Sequence, residues 1–120
     1  MKVAISATGT TLESQMDPRF GRCDYFLIID TDSEELAVIN NEMNVNAVDA
    51  AGIQAAALVA DHNVDFVVTG HCGPKAFNTL NTAKIPVYCC DGGSVREGLE
   101  KLKRNELQIL NRPDVRGHWQ

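Results

Sequence analysis

Apolar positions along the chain come in short runs, separated by polar segments that carry glycine or proline. Residues 2–7 (KVAISA) alternate and then turn apolar, which predicts a first strand. Residues 24–31 (DYFLIIDT) are aromatic and β-branched and predict a second strand. A turn over 31–34 brings residues 35–40 (ELAVIN) back as the third strand, closing a hairpin. Residues 48–63 are rich in alanine with apolar residues at helical spacing, predicting a first helix after a polar loop at 41–46. The nearly continuous apolar run at 64–69 (VDFVVT) fits a parallel strand covered on both faces. Gly70-His71-Cys72-Gly73-Pro74 then opens a second helix over 75–83, and residues 85–89 (IPVYC) predict a fifth strand. Ser94 with Glu97 three residues later has the spacing of a capping box, so a third helix starts there and runs to about Arg104.

The order β-β-β-α-β-α-β-α makes one α/β domain over residues 1–104, with residues 105–120 as a C-terminal tail. An antiparallel hairpin followed by right-handed crossovers gives a mixed five-stranded sheet with helices on its faces. In such sheets ligands sit at the carboxyl ends of the parallel strands. If the first, fourth and fifth strands are parallel neighbours, Cys23, Cys72, Cys89 and Cys90 converge on one rim, which the polar loop over residues 8–22 also borders. A loop of that length in a small domain is usually functional or mobile.

Composition narrows the function. The 120 residues carry 11 Lys and Arg against 16 Asp and Glu, a formal net charge of −5. That balance speaks against a general nucleic-acid binder, which needs a basic excess. The apolar start is too short for a signal peptide, and no run approaches the ~20 apolar residues of a membrane span. A cytoplasmic protein with no membrane partner is the expectation. In that compartment the four cysteines are thiols, so metal or redox chemistry is the question they pose.

Residues 69–75 (TGHCGPK) set two glycines around a predicted helix N-terminus, where backbone N–H groups and the helix dipole suit an anion. Gly70, Gly73 and Lys75 are candidate contacts; an ordinary tight βα turn explains the same glycines. The spacing is not that of a phosphate-binding P-loop. Cys72, read as an exposed turn residue, is the first candidate for a soft metal ligand, followed by His71 and Cys90; Cys89, ending a strand, reads as core. No C-x-x-C pair or zinc-finger spacing is present. Arg19, Arg22, Lys75 and Arg96, partly offset by Asp17, Asp24 and Asp91, make the expected rim locally positive, a field that focuses an anionic ligand; solvated surface charge explains the same residues. The first strand lacks the carboxylates of a two-metal nuclease, and no nucleophile elbow occurs, so the chain does not read as an enzyme.

Asp17-Pro18-Arg19-Phe20-Gly21-Arg22, followed by Tyr25-Phe26 entering a strand, resembles the signature of the dinitrogenase iron–molybdenum cofactor biosynthesis family (NifX- and NafY-like proteins and the C-terminal domain of NifB-type proteins). Gly70-x-x-Gly73-Pro74-x-Ala76, Leu80 and Ile85-x-Val87-Tyr88 match its second block. The likeness spans residues 1–104 and implies a ribonuclease H-like three-layer fold without the nuclease carboxylates. It also implies a small carrier or scaffold that reversibly binds a metal–sulfur cluster, iron–molybdenum cofactor or a related molybdenum-, iron- or copper-containing one, and meets donor and acceptor proteins. Arg19, Phe20, Gly21 and Arg22 would then belong to the binding loop. Family members often carry histidine before Phe-Gly-Arg; Arg19 in that place favours electrostatic holding. Two other readings stand beside this one: a thiol protein using Cys72 with Cys90 as resolving partner, and an interaction module without metal. The tail residues His118 and Trp119 are candidates for covering the rim or a partner surface, with ordinary packing the simpler reading.

Overall fold

The computed structural model describes residues 1–42 and 51–111. A single sheet has the spatial order β3-β2-β1-β4-β5-β6. Its strands are β1 (Lys2–Ala7), β2 (Tyr25–Asp30), β3 (Leu36–Asn40), β4 (Phe66–Thr69), β5 (Val87–Cys89) and β6 (Gln108–Ile109). β1 pairs antiparallel with β2 and parallel with β4, so Ile5 lies between Leu27 and Val68. β4 and β5 are also parallel, with Thr69 beside Cys89. This is the ribonuclease H-like arrangement expected, with one difference. The sheet has six strands because part of the expected tail pairs antiparallel with β5, Ile109 opposite Tyr88. The Leu110 N–H also donates to the Val87 carbonyl at 2.8 Å.

Period-two alternation divides the core between the two faces of the sheet. Ala4, Phe26, Ile28, Val67 and Val87 face helices α1 (Ala51–Ala60) and α2 (Pro74–Thr82). Small residues Ala51, Gly52, Ala55 and Ala56 are the buried ones on α1 along with Val59, so its backbone comes close to the sheet. Val3, Ile5, Leu27, Ile29 and Val68 face the opposite way, toward Val95 and Leu99 of helix α3 (Val95–Lys103). The capping box that opens α3 is present: Ser94 Oγ accepts from Glu97 N–H at 3.1 Å, and Ser94 N–H donates to Glu97 Oε1 at 2.9 Å. The expected beginning of the first helix at 48–50, most of the polar loop at 41–46, and His118 and Trp119 lie outside the described residues. Among the described residues no helix is long and apolar enough to cross a membrane.

Candidate functional site

The carboxyl ends of β1, β4 and β5 form a rim, and the segment from Thr8 to Arg19 crosses it. Backbone bonds hold that segment on both sides. The Asp17 N–H donates to the Ser6 carbonyl at 3.0 Å, and the Met16 N–H to the Gly93 carbonyl at 2.9 Å. The N–H groups of Val95 and Arg96 donate to the carbonyls of Ser14 and Leu12, each at 2.8 Å. The first turn of α3 is thereby satisfied within the protein, so it is not an anion site. Gly98 of α3 leaves room for the Met16 thioether, since a Cβ there would lie 2.9 Å from its sulfur.

Beyond Asp17 the chain runs alongside the exit of β4. Pro18 accepts from His71 N–H at 2.6 Å, and Phe20 N–H donates to the His71 carbonyl at 3.2 Å. Arg19 and His71 thus form a parallel bridge. Contact is so close that a Cβ on Gly70 would sit 2.8 Å from the Pro18 Cα. Here glycine answers a steric need. The short 3-10 turn Phe20–Arg22 follows.

Arg19 reaches outward with 47% of its side chain exposed. The Asp17 carboxylate beneath it accepts from the Arg19 N–H at 3.0 Å and from Nε at 3.3 Å. Arg22 is half-buried at the end of the 3-10 turn, and Lys75 is exposed on the first turn of α2. Gly73 caps α2 without a side chain, ahead of Pro74. The rim cations are offset as expected by Asp17 and, beyond that expectation, by Glu13. Arg19 faces Asp17, and Arg96 is paired with Glu13. The Arg96 hydrogen bond holds the Glu13 carboxyl below its ordinary range.

The cysteines depart most from expectation. Cys72 is fully buried, not exposed, and packs in the α1–α2 face with Phe20 and Cys23. The residues from Pro18 to Phe20 lie along this turn and account for the covering. Cys90 is 2% exposed and enters the opposite face with Val95 and Leu99. Cys72 and Cys90 belong to separate clusters on the two sides of the sheet, an arrangement that does not favour their acting as an attacking and a resolving thiol. Burial, and next the Asp17 charge, push the Cys23 thiol well above the ordinary range. Cys89, expected in the core, is the half-exposed one, and its Sγ lies 3.2 Å from the Gly70 carbonyl. Phe20 and Gly21 are buried as well, and the Phe20 ring lies 5.0 Å from that of Phe26. They shape the loop from below. Among the described residues no three His, Cys, Asp or Glu side chains gather as a chelating group.

A family model described as dinitrogenase iron-molybdenum cofactor matches residues 1–105. The chain belongs to this family. The apo form of the orange protein from Desulfovibrio gigas superposes with a TM-score of 0.92 at 29% identity, covering 95% of this chain and 96% of that one. A NifB-like protein from Thermotoga, of the DUF35 family, gives 0.84 at 29% identity, with 97% and 98% covered. An uncharacterized protein of Methanocaldococcus jannaschii is 26% identical over 111 residues, 90% of each chain.

In this member of the dinitrogenase iron-molybdenum cofactor family, two residues absent from the sequence reading anchor the rim loop. Ser6 and Thr69, both fully buried, place their hydroxyl oxygens 2.8 Å apart at the ends of neighbouring parallel strands. Ser6 Oγ also lies 2.6 Å from the Asp17 carbonyl. The signal was available: each is the lone hydroxyl residue within an otherwise apolar strand end.

Proposed function

We propose that this protein is a carrier that binds an anionic metal–sulfur cluster reversibly at the carboxyl rim of its sheet, without turnover. The observation that carries the reading is the docked Asp17–Arg22 loop, which holds the Arg19 guanidinium outward beside the glycine turn at Gly70. Metal–sulfur cargo with net negative charge suits guanidinium donors and backbone N–H groups, through charge-assisted hydrogen bonds. Arg19 and Arg22 are the principal contacts, with Lys75 and the Gly70–Gly73 turn beside them. Family membership supports the same cargo class.

His71 and Cys89 are the soft donors nearest that surface, since both are half-buried at the rim while Cys72 and Cys90 are enclosed. A hold resting mainly on charge lets cargo leave when an acceptor competes for it. Partners are therefore a donor and an acceptor of the cluster, in the cytoplasm. The test is anaerobic reconstitution of the full chain with iron and sulfide and, separately, with tetrathiomolybdate. Expected is a visible absorption band with metal retained after desalting. No band and no retained metal in either case overturns the proposal.

A further inference from the structure

We infer that Thr69, Ser6 and Asp17 form a positioning chain that sets the direction of the Arg19 guanidinium, deepening the carrier reading on which it rests. The donor order follows from chemistry. The Asp17 carbonyl can only accept, so the single Ser6 hydroxyl proton points to it across 2.6 Å. Thr69 must then donate its own proton to Ser6 Oγ across 2.8 Å. Ser6 also accepts the Asp17 N–H on its carbonyl at 3.0 Å, so it grips both backbone groups of one residue.

Asp17 turns that grip outward. Its side chain, with 6% exposure, accepts from the Arg19 N–H at 3.0 Å and Nε at 3.3 Å, with Nη2 at 3.5 Å from the other oxygen. An exposed arginine ordinarily samples many rotamers, and holding one costs entropy at the moment of binding. Here the cost is met on folding. Three consecutive links run from fully buried hydroxyls between β1 and β4 to a cation in solvent. The carboxylate also takes up the Nε edge of the guanidinium and leaves the opposite edge for an anion.

The experiment compares the full chain with Thr69→Val, Thr69→Ser, Ser6→Ala and Asp17→Asn by two readouts, well below the melting temperature of each. The first needs no cargo: 15N relaxation of the Arg19 Nε–H group. Order at Nε is expected to fall in Thr69→Val, Ser6→Ala and Asp17→Asn and to return in Thr69→Ser. The second is tetrathiomolybdate affinity in wild type, Thr69→Val, Arg19→Gln and the double variant. Thr69→Val is expected to weaken binding about fivefold in the wild-type background and not at all once Arg19 is gone, as for residues coupled in one network. Unchanged Nε order, or an equal loss in both backgrounds, overturns the positioning chain. Ordered Nε in a wild type that retains neither thiomolybdate nor an iron–sulfide cluster overturns the carrier reading instead.

Discussion

Replacing Gly70 with alanine drives a methyl group into the backbone of Pro18. The added Cβ would lie 2.8 Å from Pro18 Cα and 3.0 Å from its carbonyl oxygen, so no side-chain rotation relieves the clash. Either Pro18–Phe20 lifts from the rim or the exit of β4 bends. Overpacking of this kind costs about 1–3 kcal/mol. Lifting the loop also weakens the bonds from His71 N–H to Pro18 and from Phe20 N–H to His71, 2.6 and 3.2 Å long. Such bonds contribute roughly 0.5–1.5 kcal/mol each. With both bonds lost the expected cost is therefore about 2–6 kcal/mol, measured by urea unfolding with wild type in parallel. The denaturant slope should stay the same, because the surface exposed on unfolding is unchanged. A loss below about 0.5 kcal/mol, the range of an ordinary surface change, refutes the tight docking of the loop on β4.

Native thiol labelling should show one fast phase, from half-exposed Cys89, that Cys89→Ser abolishes; fast labelling of Cys72 or Cys90 would contradict their burial. The raised Cys23 thiol makes stability depend on alkaline pH. Its folded ionisation lies above the ordinary value of 9.0, so the unfolded chain gives up its proton first and stability falls as pH climbs past that value. The slope attributable to Cys23 approaches about 1.4 kcal/mol per pH unit, and Cys23→Ala should remove it; an unaltered slope refutes the assignment. Ser94→Ala removes the side chain that accepts Glu97 N–H at 3.1 Å and should cost about 1 kcal/mol in thermal or urea unfolding. No change there would mean the cap contributes nothing.

Element placement was legible because each element carries a local signal, as in the unbroken apolar run at Phe66–Thr69 and the Ser94–Glu97 box. β6 was not, since Gln108 and Ile109 form a strand of two residues, both exposed, with no alternation to read. The rim's location followed from topology, whereas the side chains there did not. TGHCGPK read alone is an exposed turn; only the long-range docking of Pro18–Phe20 along it explains why Cys72 is enclosed. Cys89 and Cys90 show the same limit. Alternation sends them to opposite faces, but which face is filled at that level depends on α3, whose Val95 and Leu99 share a cluster with Cys90. The offset of Arg19 by Asp17 was legible, whereas the pairing of Arg96 with Glu13 was not, because it joins residues far apart in sequence.

The most direct measurement is metal and acid-labile sulfide content of the full chain purified anaerobically from its own host, beside an Arg19→Gln/Arg22→Gln variant prepared identically. Metal and sulfide together in the wild type, lost from a variant that keeps its fold, is the expected result. Neither element in the wild type, or equal content in both proteins, contradicts a rim that holds anionic metal–sulfur cargo through its arginines.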